Sequence, residues 1–414
     1  MSDPSHIWHP YTRFSALSAA DPIVMERADG SYLYDVEGRA YLDAVSSWWC
    51  VNLGHGRPEI IQAIQQQTAK LQHSILGNLA HPGAIALARR IVDLMPSPQR
   101  HVSFASDGAS ANEAALRIAV QYFYNQGRPE KNRFVALTDP YHGDTLGAVS
   151  VGYQPTFHQP IRSLLFDTFF AEPTVEALSQ VISENADVLA GVILEPLCQG
   201  AAGMKIYPPE VLQAADTLCK EHDVLLIIDE IAMGFGRTGS MFAFEQAGID
   251  PDIVTLGKAL TNGSLPISAC VTRDHIYETF TDCGDADHTF YHGHTFAGNP
   301  IACAAALATL NIFANEPVLE NLQPKAARIA AGFEQLLRLA AVKEVRCLGM
   351  IGAVELENDH AMPAIRQRML DRGILIRPLG SVVYITPPLT IADADLERLM
   401  TELQAAIELE TRGS

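Results

Sequence analysis

Val224-Leu-Leu-Ile-Ile-Asp229-Glu230 is a run of five apolar residues closed by two carboxylates. A short apolar run bounded by polar residues reads as a strand buried on both faces, which is the habit of parallel sheets covered by helices. Working outward, similar runs lie at 102–105, 134–137, 188–194 and 253–256, each ended by polar or glycine-rich residues. Helical stretches at 111–125 and 209–222 separate several of them. At 58–73 the residues Ile60, Ile61, Ile64 and Leu71 fall on one helical face, with Pro58 suited to a first turn. Strand and helix in alternation predict an α/β fold around a mostly parallel central sheet. In such sheets the chemistry gathers beyond the carboxyl ends of the strands, so Asp229 and Glu230 are delivered to that rim.

The ends of the chain have another character. Runs at 23–26, 32–35 and 41–43 are separated by Asp29-Gly30 and Glu37-Gly38, the pattern of a small meander of hairpins. After residue 315, helical stretches at 324–339, 362–372 and 393–407 enclose strand-like segments at 350–355, 374–377 and 382–386, an α+β arrangement. No repeat or Pro/Ser-rich linker interrupts the chain. The expected organisation is a large domain at 51–314 and a smaller α+β domain built from both termini, 1–50 and 315–414.

Composition excludes several classes of function. Among 414 residues, 48% are hydrophobic and 19% charged, enough apolar surface for a large core and too little charge for a disordered coil. A formal net charge of −19 repels phosphate backbones and anionic lipid, which argues against nucleic-acid or membrane partners. Residues 1–10 lack a basic start followed by an apolar stretch, and the apolar segment 301–314 is shorter than a bilayer span. Seven scattered cysteines include no CxxC pair. These features predict a cytoplasmic protein with reduced thiols.

Several readings compete at the Asp229-Glu230 strand end. It is compatible with an acidic helix cap, or with a Walker B strand. The chain lacks GxxxxGK[ST], however, because Gly257-Lys258 is followed by Ala259. The GxGxxG match at Gly234, Gly236 and Gly239 stands outside a βαβ unit and reads as chance. A further reading uses Lys258, just beyond the 253–256 strand and therefore on the same rim as Asp229. Pyridoxal phosphate requires an amine for its aldehyde and a carboxylate to keep its ring nitrogen protonated, and a buried lysine can supply a free amine. Ser106-Asp-Gly108-Ala109-Ser110 follows another strand and opens a helix, a cradle for an anion or an ordinary capped helix. Tyr141-His-Gly-Asp144 offers an aromatic face. His292-Gly293-His294-Thr295 has no acidic or cysteine partners at ligand spacing, so no metal is expected. Arg377, before Pro378, is suited to gripping a carboxylate.

Asp229-Glu-Ile-Ala-Met-Gly-Phe-Gly-Arg237-Thr-Gly239, followed by Leu256-Gly-Lys258-Ala-Leu, resembles the signature of class III aminotransferases, which are fold-type I pyridoxal phosphate enzymes. His6-Ile-Trp-His-Pro-Tyr11-Thr, Ser46-Ser-Trp48-Trp49, Tyr141-His-Gly-Asp144-Thr, Thr295-Phe-Ala-Gly-Asn-Pro and Ile376-Arg377-Pro resemble the biotin-pathway branch of that family. The resemblance implies that Lys258 binds the cofactor and shuttles the substrate proton, Asp229 holds the ring nitrogen and Tyr141 stacks on the ring. It implies that Gly108 and Ala109 bind phosphate through N–H groups, and that Thr295 reaches the phosphate from the neighbouring subunit of a homodimer with shared sites. Tyr11, Trp48, Asp144, Arg237, Gly293 and Arg377 would line or shape the pocket for 8-amino-7-oxononanoate, which is aminated to 7,8-diaminononanoate. The amino donor implied is S-adenosylmethionine, although His294 and Leu379 look more like lysine-using relatives. The segment Asp107-Gly-Ala-Ser-Ala-Asn-Glu113 is closer to the GxxxNE pattern of ornithine and 4-aminobutyrate aminotransferases. Two rivals follow: an aminotransferase for another ω-amine (putrescine, 4-aminobutyrate, ornithine or a β-amino acid with pyruvate), and a catalytically idle scaffold, against which Lys258 and Asp229 together argue.

Overall fold

A computed structural model describes residues 6–14, 22–282, 284 and 286–411; residues 1–5 and Cys283 lie outside them. Strands β1 (Met25–Asp29), β2 (Tyr32–Asp35) and β3 (Ala40–Asp43) form the expected antiparallel meander, with β1 two residues later than the 23–26 run. Helices α1 (Pro58–Lys70) and α2 (Pro82–Val92) each carry proline in the first turn, where its missing N–H has no helical partner to lose.

Next come β4 (Arg100–Ala105), α3 (Gly108–Asn125), β5 (Arg133–Leu137), β6 (Phe169–Ala171), α4 (Val175–Asn185) and β7 (Leu189–Leu194). A small hairpin, β8 (Cys198–Gln199) and β9 (Lys205–Ile206), precedes α5 (Pro209–Glu221), β10 (Leu225–Asp229), β11 (Ile253–Leu256) and β12 (Ser268–Arg273). Seven strands join in the order β4-β12-β11-β10-β7-β5-β6, and only β12 runs against its neighbours. The mostly parallel sheet of the α/β reading is therefore present. β6 and β12 were not expected, because Phe-Phe-Ala is too short to mark a strand and Ser-Ala-Cys-Val-Thr-Arg is small and polar until neighbours bury it. Every residue of β7 and β10 is buried. Ile227 and Ile253 face one apolar cluster, and Ile228 and Val254 face the other, so helices cover both sides of the sheet.

The last third contains α6 (Pro300–Asn315), α7 (Val318–Glu334), β13 (Val342–Leu348), β14 (Ile351–Leu356), α8 (Met362–Asp371), β15 (Ile374–Leu375), β16 (Val382–Ile385) and α9 (Asp393–Glu410). β13, β14 and β16 form an antiparallel sheet, while β15 pairs in parallel with β3 and so completes the sheet begun at the N-terminus. A third apolar cluster joins Leu42 and Leu53 to Ile329, Phe333, Val354 and Leu399.

Three expectations need correction here. The helix expected from residue 324 starts at Val318 and carries Pro324 inside it; packing of Leu322, Ile329 and Phe333 into the third cluster holds it despite the lost hydrogen bond. β13 was missed because Lys343, Glu344 and Arg346 interrupt its apolar pattern. The 374–377 strand stops at Leu375, which leaves Arg377 outside the sheet. Among the described residues no single helix is long and apolar enough to cross a membrane; α6 and α7 pass only as a pair bent by 77°.

Candidate active site

Asp229, the last residue of β10, is 4% exposed. Its Oδ2 accepts a hydrogen bond from Asn112 Nδ2 at 2.7 Å and lies 2.8 Å from His142 Nδ1, while Oδ1 accepts the Ile231 N–H at 3.1 Å. A carboxylate this deeply buried needs such partners. Lys258 stands just beyond β11, after Gly257, with φ of +43°. Among the described residues it has no carboxylate within ion-pair distance, and its Nζ lies 5.1 Å from the centre of the Trp49 ring. Both side chains line one cavity of about 490 Å³ together with Trp49, Ala109, Tyr141 and Glu195.

The N-terminus of α3 opens into the same cavity. Asp107 caps it, its carboxylate accepting the Ser110 N–H at 2.9 Å, and Gly108 and Ala109 begin the helix. A Cβ at Gly108 would meet Ile231 at 2.8 Å, and one at Gly143 (φ +116°) would meet the Ala109 side chain at 2.3 Å. Glycine at both positions is what lets the backbone close around this helix start, where free N–H groups and the positive end of the dipole favour an anion.

A second cavity of about 500 Å³ adjoins it, lined by Tyr11, Trp48, Phe157, Lys258, Arg377 and Tyr384 among others. The Tyr11 and Tyr141 hydroxyls donate to the two oxygens of Asp144, at 2.6 and 3.2 Å. Burial, with Asp144 beside it, pushes Tyr11 up to about 12, and the same causes push Tyr141 up as well. Both phenols therefore stay protonated at neutral pH. The Arg377 guanidinium lies 3.6 Å from the centre of the Trp48 ring and has no carboxylate partner among the described residues. Arg13, Arg366 and Arg377 line a third cavity of about 570 Å³, and no acidic residue is among its described lining.

The two tryptophans owe their aim to an unusual turn. Ser46, Ser47, Trp48 and Trp49 have φ of 47°, 45°, 68° and 70°, four successive left-handed residues, each costing an L-residue about 1–2 kcal/mol. Side chains hold it in place: Ser46 Oγ donates to Thr386 O at 2.6 Å, and Ser47 donates to Asp43 through Oγ at 2.7 Å and N at 2.9 Å.

Arg237 requires a correction. Expected against substrate, it is 1% exposed and lines neither cavity that holds Lys258. Its guanidinium donates to Pro387 O at 2.7 Å, Asn52 Oδ1 at 2.6 Å and Ser46 Oγ at 3.2 Å, and burial pushes its pKa down to about 9. It braces the tryptophan turn from behind. Gly293 is not brought to Lys258 within one chain either: with Thr295 it lines a separate apolar cavity of about 510 Å³ beside Phe104 and Tyr277. Three residues of the site were missed. Asn112 and His142 hold Asp229. Glu195 follows β7, its two oxygens accepting the Tyr141 N–H at 3.1 Å and the Gly200 N–H at 3.0 Å, and burial pushes it up to about 7. A carboxylate closing an apolar strand is the signal that singled out Asp229, and it was present at Glu195 too.

An unpaired amine, a carboxylate held by three donors and a helix N-terminus opened by glycines share one cavity. That set fits pyridoxal phosphate, which needs an amine at its aldehyde, a carboxylate at its ring nitrogen and N–H groups at its phosphate. Residues 15–407 match the family described as aminotransferase class-III. The chain belongs to the class-III aminotransferases. This aminotransferase is a fold-type I enzyme and depends on pyridoxal phosphate. It is similar to the adenosylmethionine-8-amino-7-oxononanoate aminotransferase of Geobacter sulfurreducens, 38% identical over 99% of this chain and 97% of that one. The crystal structure of the enzyme of that name from Methanocaldococcus jannaschii matches with a TM-score of 0.94 and 38% identity, covering 98% of each chain. An amine transaminase from an uncultivated Pseudomonas species, solved in its PLP-bound form, matches at 0.92 with 31% identity over 98% of each chain.

Proposed function

We propose that this aminotransferase transfers an amino group to the 7-keto group of 8-amino-7-oxononanoate, giving 7,8-diaminononanoate for biotin biosynthesis, with S-adenosylmethionine as donor. The observation that carries the reading is the second cavity: an apolar channel with the unpaired guanidinium of Arg377 against Trp48, and Lys258 in the same wall. Such a channel suits an aliphatic chain with a carboxylate at one end and a reactive carbonyl toward the other. The relatives named for that reaction support it.

Bound pyridoxal phosphate supplies the electron-withdrawing ring and carries nitrogen from donor to acceptor in two half-reactions. Lys258 holds the cofactor and, when displaced, moves the substrate Cα proton through Nζ. Asp229 would face the ring nitrogen, Tyr141 would stack on the ring, and the N–H groups of Gly108 and Ala109 would bind phosphate. Arg377 takes the substrate carboxylate, while Tyr11 and Asp144 offer a negative pole to the 8-ammonium group. Trp48 and Tyr384 exclude water. The apolar cavity at Gly293 and Thr295, with Phe296 exposed beside it, supports a homodimer in which each subunit lends Thr295 to the other's phosphate site. Pairing of β15 with β3 supports a small domain of 1–50 with 315–414 against a large domain of 51–314. A cytoplasmic setting fits the free cysteines.

The test is a donor screen following loss of the bound cofactor's absorbance with S-adenosylmethionine, lysine, ornithine and 4-aminobutyrate separately, then product formation from 8-amino-7-oxononanoate. Response to S-adenosylmethionine with product supports the proposal. Response to lysine alone selects the second reading, favoured by Leu379 in the wall of the channel. Response only to the other two amines overturns the biotin-pathway reading.

A further inference from the structure

Asn112 is completely buried on α3, one helical turn after Gly108 and therefore on the face that carries the anion cradle. Its Nδ2 donates to Asp229 Oδ2 at 2.7 Å and to the main-chain carbonyl of His142 at 2.8 Å. Its Oδ1 accepts from Thr255 Oγ1 at 2.7 Å, and Thr255 is likewise completely buried. A main-chain carbonyl and a carboxylate can only accept, so the amide has one orientation in which all three partners are satisfied. Thr255 is the direct register partner of Asp229 on the neighbouring strand and stands three residues before Lys258. One amide thus links the helix that begins at the phosphate cradle, the strand that delivers Asp229, the strand that leads to Lys258 and the loop that carries Tyr141.

We infer that Asn112 is a positioning residue for the cofactor, fixing Asp229 in the orientation that meets the ring nitrogen, and that the Thr255 hydroxyl fixes Asn112 in turn. The inference rests on the assignment of Asp229 to the ring nitrogen and deepens it. Among the described residues Asp229 is otherwise held only by His142 and the Ile231 N–H. Without the Thr255 donor the amide oxygen is left buried and unsatisfied, and the amide loses the contact that fixes its plane, so its hold on Asp229 loosens.

Thr255→Val keeps the shape and removes the hydroxyl; Thr255→Ser keeps the hydroxyl. The readouts are the dissociation constant for pyridoxal phosphate, measured by equilibrium dialysis, and the visible circular dichroism of the bound cofactor, which reports ring tilt. Thr255→Val is expected to weaken cofactor binding about ten-fold, the effect of a lost hydrogen bond in a charged network, and to change the dichroic band. Thr255→Ser is expected to match the parent in both. Asn112→Leu should reproduce the Thr255→Val effect, and the double variant should be no worse than Asn112→Leu alone. Thr255→Val indistinguishable from the parent would overturn the inference even if Asn112→Leu fails to fold, and so would strictly additive effects. Neither assay uses 8-amino-7-oxononanoate, so the substrate assignment can fail without touching this result. A parent protein that binds no pyridoxal phosphate would overturn the cofactor roles beneath it.

Discussion

At the scale of single residues, the site combines groups that burial makes costly with partners that offset the cost. Under the proposed roles Lys258→Ala removes both the amine for the aldehyde and the proton carrier; turnover should fall by at least the 10²–10⁴-fold or so typical of a lost general acid–base, and borohydride treatment with pyridoxal phosphate should label no lysine in the cavity. Arg377→Ala should raise KM for 8-amino-7-oxononanoate about 10–100-fold with kcat little changed, because a charge-assisted hydrogen bond to a carboxylate contributes about 1.5–3 kcal/mol to binding. An unchanged KM would remove Arg377 from that role. Glu230 gives a prediction about pH. It is fully buried, accepts the Phe244 N–H through Oε1 at 2.8 Å and leaves Oε2 without a hydrogen-bond partner. Burial raises it from 4.5 to about 8. Between those values the folded chain keeps the proton and the unfolded chain has lost it, so stability falls as pH rises across the window and levels off above it. Glu230→Gln should flatten that slope in urea titrations at pH 5 and pH 9. An equally steep loss in the variant would show that the proton resides elsewhere.

At the scale of elements, the groups around Lys258 from the large sheet sit at the carboxyl ends of strands or in the loops after them. β4 leads to Gly108, β5 to Tyr141, β7 to Glu195, β10 to Asp229 and β11 to Lys258. The tightest contact among these turns is between Gly143 and Ala109. Gly143→Ala combines a left-handed φ with a 2.3 Å clash against the start of α3, so it should destabilise the fold by about 1–3 kcal/mol and loosen the phosphate cradle. Thermal unfolding with and without pyridoxal phosphate checks both, and a variant with the parent's midpoint in each condition would contradict it. Much of this level was legible in the sequence. The fully apolar strands were visible because burial on both faces leaves no polar residue to confuse the pattern, and Asp229 and Lys258 stood out as charges at their ends. β12 and β13 were not visible, since small and charged residues become strand only when a neighbouring strand takes up their backbone groups. The left-handed turn at 46–49 was equally hidden, because no glycine marks it.

At the scale of the whole molecule, the net charge of −19 says little about the site, where Arg13, Arg366 and Arg377 line one cavity whose described lining holds no acid. Under the proposed dimer, a Lys258→Ala chain mixed with a Thr295→Ala chain should form hybrids with one intact site of two, giving more activity than the two variants measured separately. No recovery after verified subunit exchange would separate Thr295 from the phosphate. Arg237 marks the limit of the sequence: a cation in the family-like signature was expected to shape the substrate pocket, and the fold buries it beneath the tryptophan turn. The sequence by itself determined the alternating architecture, the family and the placing of a carboxylate and a lysine on one rim of the sheet, because these depend on local periodicity and on residue types at strand ends. Only the tertiary structure decided that Asn112 and His142 support Asp229, that β15 joins the two ends of the chain and that Arg237 lies buried beneath the tryptophan turn. Those facts depend on which distant segments meet, and hydrogen bonds between residues 87 or more positions apart leave no periodicity to read.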